Sequence, residues 1–222
     1  MNDVIACEAL VDFAVRAVLA ELPRPLGELP AVGDAAAEVA AFRAGPGIDA
    51  TLRTAVRDVL RQRGYRPTGR GKPSSEYLAN AAAEERWPSV NAVVDAANLA
   101  SLRHGLPISV VDADLARAPW TVRCGKGGER YVFNSGGQEI ELDGLPCLCD
   151  RDGPCANAVK DSQRTKTSAA TRRVLAIVWG ALRPDAVLPD RTVADLERRL
   201  QALGARLVRV AVAPCDAGSH QP

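Results

Sequence analysis

Aromatic residues are scarce in this chain: Phe, Trp and Tyr together make up 4% of 222 residues. Val, Leu and Ala must therefore fill the interior, which the 47% apolar content allows. A chain of this length buries about 70% of its unfolded surface and needs no covalent staple. Long apolar runs are also missing. No stretch reaches the roughly 18 residues of a membrane-spanning helix, and Met1-Asn2-Asp3 lacks the basic start of a signal peptide. The expectation is a cytoplasmic protein with no membrane partner, in which disulfides are rare. No charge of one sign dominates, with 28 Lys and Arg against 27 Asp and Glu. Nucleic acid would have to be met by local patches. Arg61, Arg63, Arg66, Arg70 and Lys72 form one candidate; Lys160, Arg164, Lys166, Arg172 and Arg173 form another. Solvated loops are the plainer reading of both. Gly-x-Ser-x-Gly does not occur and no Ser-His-Asp arrangement is visible. Cys147, Cys149 and Cys155 follow no standard zinc spacing, and with two histidines a fourth ligand would have to be Cys124 or a carboxylate. No metal or cofactor is expected.

What the sequence does contain is a polar face inside an apolar segment. Asn91, Asp95 and Asn98 are four and three residues apart, so they share one side of a helix that Ser101 continues. Burying such groups without partners costs on the order of 1–3 kcal/mol each. The face either lines a wet pocket or locks into a buried polar network.

The rest reads as α+β, with helices covering a mostly antiparallel or mixed sheet. Residues 4–20 look like an amphipathic helix. Further helices are expected at 34–43, 51–63, 74–83, 90–103 (ending at Gly105) and 190–203. Strands are expected at 107–111, 120–124, 130–133, 139–142, 145–149 and 206–213. Residues 174–179 are a buried strand by composition, with helix left open by length. Residues 160–173 form a polar loop.

Lys72-Pro-Ser-Ser-Glu76, Val90-Asn91, Val94-Asp95, Asn98, Ser101-Leu-Arg103, Gly105-Leu-Pro107, Asp112, Asp114, Gly128-Glu129, Asp161-Ser162-x-x-Thr165-Lys-Thr167 and Thr171 together resemble the B3/B4 domain family. That module occurs in the β subunit of bacterial phenylalanyl-tRNA synthetase and in free-standing proteins. The resemblance covers roughly residues 50 to 213. It implies a main domain over 49–213; the helix patterns before it are expected to form an N-terminal helical segment over 1–48 packed on that domain, and the small, polar residues 214–222 a mobile tail. In the synthetase the domain hydrolyses the ester of tyrosine wrongly attached to tRNA. A free-standing copy resembles a trans-acting deacylase or, alternatively, a non-catalytic module that binds tRNA or a small molecule. A third reading makes the polar helix core cement only. The family's Gly-Gly before the acidic residue is replaced here by Asn157-Ala158-Val159-Lys160 ahead of Asp161, so tyrosine specificity does not carry over.

An aminoacyl ester is already activated; its hydrolysis needs placed water, an ammonium anchor and donors for the oxyanion. His104, Asn98 and Glu129 are the catalytic candidates, with His104 alternatively a helix C-terminal cap. Asn91, Asp95, Ser101, Asp161, Ser162, Thr165, Thr167 and Thr171 are candidate substrate contacts. Asp95 can instead pin a loop, and Glu76 can form a structural bridge with Arg103 or Lys72. Arg70, Lys72, Arg103, Arg164 and Lys166 are candidates for tRNA phosphate. The expected partner is a tRNA acceptor end or a small amino-acid-like ligand; the oligomeric state is not legible.

Overall fold

A computed structural model describes residues 3–214. Two sheets form its centre. One has five strands in the order β11-β1-β4-β7-β8; the other has four in the order β10-β2-β9-β3. In chain order the strands are β1 (Asp3–Cys7), β2 (Phe13–Glu21), β3 (Ile108–Asp112), β4 (Trp120–Cys124), β5 (Arg130–Val132), β6 (Glu139–Glu141), β7 (Pro146–Asp150), β8 (Gly153–Asn157), β9 (Arg173–Ala181), β10 (Arg206–Val208) and β11 (Val210–Pro214). The helices are α1 (Ala35–Ala44), α2 (Ala50–Arg61), α3 (Ser74–Ala83), α4 (Ala92–His104) and α5 (Leu188–Ala202). β5 and β6 form a separate hairpin. The four-stranded sheet is antiparallel, whereas β1 pairs in parallel with both β4 and β11 in the other. The fold is α+β with mixed sheets covered by helices.

The expected helix over 4–20 is instead two strands and a turn, with Asp12 in the left-handed region at φ 54°. The reason lies in β2. Val15 and Leu19 enter the core between the sheets, together with Leu175, Ile177 and Trp179 of β9 and Val122 of β4. Val18 and Ala20 point the other way, into a second core with Val93 and Ala97 of α4 and Leu196 and Leu200 of α5. A strand buried on both faces loses its polar alternation and mimics one turn after another of apolar helix. Nine consecutive residues of β2 pair with β9, from Phe13 opposite Ala181 to Glu21 opposite Arg173.

The single strand expected over 206–213 is two. β10 pairs with β2, and after Arg209 the chain crosses to the other sheet and pairs with β1. The proposed tail lies, apart from Pro214 in β11, outside the described residues. Residues 153–157, where no element was expected, form β8. Among the described residues no helix is long and apolar enough to cross a membrane.

α4 is the most enclosed helix. It packs against α1, α3, α5 and β3, so buried residues occur all round it. Asn91 caps its start, accepting from the Val94 N–H at 3.0 Å. Gly105 ends it in the left-handed conformation, φ 74°, donating its N–H to the Ser101 carbonyl. A Cβ there would be both strained and within 2.9 Å of Leu52.

Candidate functional site

The polar face of α4 resolves into local bonds. Asp95 is buried; its carboxylate accepts from the Val90 N–H at 2.8 Å and the Ser89 hydroxyl at 3.0 Å. Ser101, also buried, donates to the Leu106 carbonyl at 2.7 Å. Asn91 donates from Nδ2 to the Thr167 hydroxyl at 3.1 Å, tying the helix start to the polar loop. Asn98 is half-buried. The face is thus mostly a satisfied network that fixes both ends of the helix.

His104 turns towards α5. Its Nε2 lies 3.3 Å from Asp195 Oδ2, within ion-pair distance but off the line of a hydrogen bond. Burial pushes the Asp195 carboxyl up, yet His104 and Arg199 together hold it down at about 2. Glu129 is gripped by Arg123 through two bonds of 2.8 and 2.7 Å and accepts the Lys126 N–H at 2.7 Å. Those partners, Arg123 first, lower its pKa to about 2. Glu76 forms a structural bridge, but with Arg57 of α2 and not with Arg103 or Lys72.

The polar loop is bound to the strands beneath it. Thr165 donates to the Cys155 carbonyl. Ser162 accepts the Arg164 N–H and opens a short 3-10 turn at Gln163–Thr165. Thr171 donates to Asp112 Oδ2 at 2.6 Å. Arg164 makes two bonds to Asp150, at 2.8 and 2.9 Å. Arg103 is exposed at the end of α4. Cys147, Cys149 and Cys155 are buried free thiols, with burial pushing Cys149 up to about 11. Among the described residues no three His, Cys, Asp or Glu side chains are grouped so as to hold a metal.

One hollow of about 840 Å³ gathers several of the remaining candidates. Its wall is made by α3, by the turn between β5 and β6, and by the segment that follows β8. Arg70, Lys72, Lys160 and Lys166 line it, and Asp161 is the carboxylate among its lining residues. Lys is rare here: the sequence has four, at 72, 126, 160 and 166, against 24 Arg. Three of the four face this hollow. None of its four cations has an ion-pair partner among the described residues, whereas Arg61, Arg63, Arg164 and Arg173 of the same two sequence patches are all paired.

The geometry of this wall follows from short local interactions. Asn157 accepts the Val159 and Lys160 N–H groups through its side chain, at 2.8 and 2.9 Å, and donates to the Tyr131 hydroxyl. Tyr131 in turn donates to the Lys160 carbonyl at 2.5 Å. This turn aims Lys160 over the Phe133 ring, with Nζ 3.9 Å from the ring centre. Lys166 donates to the Phe133 carbonyl at 2.6 Å. Burial, then the charges of Arg70 and Lys166, lower the Lys160 pKa. Asp161 retains some solvent-exposed surface, but its carboxyl is surrounded by protein. Burial raises it to about 6, against hydrogen bonding from Ser109 and from the Val110 and Asn157 N–H groups.

Asp161, Arg70, Lys72 and Lys166 therefore meet in one place. Asp95, Asn98, Ser101, His104, Glu129, Ser162, Thr165, Thr171, Arg103 and Arg164 lie outside that wall, as do Asn91 and Thr167. Sequence reasoning passed over Tyr77, Asn80, Phe133 and Gln138, which also line it, and did not select Lys160 from its cluster. The scarcity of lysine in an arginine-rich chain was the signal that marks Lys160.

The B3/4 domain model matches residues 63–188, more than half of the chain. Over 96 residues the chain is 33% identical to the phenylalanine–tRNA ligase beta subunit of Bartonella henselae, a match covering 41% of this chain and 12% of that protein. In fold it resembles an N-terminal fragment of the phenylalanyl-tRNA synthetase beta subunit from Pyrococcus horikoshii. The TM-score is 0.50 at 14% identity, over 94% of this chain and 51% of the other. The chain thus spans about half of that fragment and a much smaller part of the ligase subunit. It belongs to the B3/4 domain family.

Proposed function

We propose that the hollow beside Asp161 receives the aminoacyl end of a tRNA and that the protein hydrolyses the ester of a wrongly attached amino acid. The observation that carries this reading is the convergence of Lys72, Lys160, Lys166 and Arg70 on one hollow that also holds a carboxylate. Family membership supports the substrate class, since both relatives are beta subunits of the ligase that charges tRNA with phenylalanine. A hollow of this size lies within the usual range for small-molecule sites.

In this reading Lys72, Lys166 and Arg70 meet phosphate. Asp161, with a pKa of about 6, is largely ionised at neutral pH and, from behind the wall, attracts the substrate's ammonium group by its charge. Lys160, fixed over Phe133, offers positive charge to the oxyanion that develops when water attacks the ester carbonyl. His104, Asn98 and Glu129 serve the scaffold. One observation favours a second reading, binding without turnover. Asp161 already accepts two main-chain N–H groups, so the wall offers no carboxylate wholly free to activate water.

A panel of mischarged tRNAs, incubated with the protein and with Asp161→Asn and Lys160→Ala, separates these readings. Release of at least one amino acid by the wild type, lost in both variants, supports hydrolysis. Binding with no release from any tRNA leaves the second reading in its place.

A further inference from the structure

We propose that Tyr77 is a stacking platform for an unpaired base, so that the hollow holds one nucleotide of a single-stranded RNA end. The ligand class rests on the reading above, but the contact needs no ester and no hydrolysis.

Of the chain's nine aromatic residues, three each of Phe, Trp and Tyr, Tyr77 is the one found among the exposed large hydrophobic side chains. It is 59% exposed, where Tyr131 is 9%. Tyr65 is half-buried and spends its hydroxyl on the Gly71 carbonyl at 3.0 Å. Trp120 and Trp179 are buried, and each donates its ring N–H inside the protein. A chain so short of aromatics nevertheless leaves one ring bare, in the wall where three of its four lysines meet.

The surroundings of Tyr77 fit a nucleotide part by part. On α3, Ser74, Tyr77 and Asn80 follow one another at three-residue steps and all line the hollow, a spacing that keeps them on neighbouring turns of one side. The ring offers a face to a base. The amides of Asn80 and Gln138 offer donors and acceptors to its edge. Lys72 and Lys166 supply charge for phosphate. A small inorganic anion would have no use for the ring, and an uncharged aromatic ligand none for the cations. A base paired in a duplex keeps both faces in the stack, whereas one at a free end can leave it for a side chain. Phe133 is a poorer platform, because Lys160 already covers one face.

The test is a binding titration with a 5′-labelled single-stranded RNA ending in adenosine and with a blunt duplex of the same sequence, read by fluorescence anisotropy. It compares wild type, Tyr77→Phe and Tyr77→Leu, with folding checked by circular dichroism. The expected result is tighter binding of the single strand than of the duplex. Tyr77→Leu should lose roughly tenfold or more, while Tyr77→Phe, which keeps the ring, stays within about twofold. Equal affinity of Tyr77→Leu and wild type would overturn the proposal, and so would equal binding of single strand and duplex. The deacylation panel run on the same proteins keeps the two claims apart: nucleotide binding without amino-acid release removes hydrolysis only, and release unaffected by Tyr77→Leu removes the platform only.

Discussion

The Phe133 ring carries Lys160 Nζ 3.9 Å from its centre, while the Phe133 carbonyl accepts from Lys166 Nζ at 2.6 Å. One residue just past the end of β5 thus holds two of the three amines in the hollow, one by its π face and one by its main chain. Phe133→Leu keeps the second contact and removes the first. It is expected to lower stability by about 1 kcal/mol and to weaken RNA binding severalfold. Urea unfolding and the anisotropy titration check both.

Asp161 gives the fold a pH dependence with a definite sign. Its folded pKa of about 6 lies above the ordinary 3.8, because burial disfavours the charged form. The folded state therefore binds the proton more tightly than the unfolded state does. The associated stability is full below about 3.8 and is lost as pH rises through about 6, an effect on the order of 2–3 kcal/mol. Urea unfolding of wild type should show this fall between pH 4 and pH 7, and Asp161→Asn should lack it. If the ionised carboxylate attracts the substrate ammonium, deacylation rises over the same interval.

Asp195 behaves in the opposite sense. Although burial alone would raise it, His104 and Arg199 lower its pKa to about 2. Its contribution is present above about 3.8 and lost as pH falls through about 2, again on the order of 2 kcal/mol. Asp195→Asn should cost most of that at pH 7 and little near pH 2, as read from denaturant midpoints at the two pH values.

Asp95→Ala leaves the Val90 N–H and the Ser89 hydroxyl without their acceptor at the start of α4. A loss of about 1–3 kcal/mol is expected, with RNA binding by the folded protein unchanged, because Asp95 lies outside the wall of the hollow. Thermal unfolding beside the anisotropy titration separates the two effects.

Much of this was legible beforehand where one physical rule decided the outcome. Gly105 marks the end of α4 because a left-handed terminus has few substitutes, whereas Asn91 was legible as part of the polar face and not as the cap it forms. The strand at 139–141 sits between turn-forming glycines, and the one at 120–124 runs from Pro119 to Gly125. Residues 4–20 failed because β2 is buried on both faces, which erases the two-residue alternation that separates strand from helix. The switch from β10 to β11 has no local signature at Arg209, since it depends on which sheet edge is vacant. For the hollow, Lys72 and Asp161 could be selected from their motifs. Tyr77 and Phe133 could not, because nothing in a lone aromatic says whether it faces core or solvent. Asp95 and Asp161 look alike in sequence. The first has a hydroxyl and an N–H within six residues to bond, while the second reaches the hollow only once β8 and β3 are in place.

The most direct measurement is the salt dependence of RNA binding by wild type and by Lys72→Met and Lys166→Met. If these lysines neutralise phosphates of a single-stranded end, log K falls linearly with log salt for the wild type, and each substitution flattens the slope by about 0.7. Slopes identical in all three proteins would contradict a phosphate-binding hollow and, with it, the assignment of an RNA end to this site.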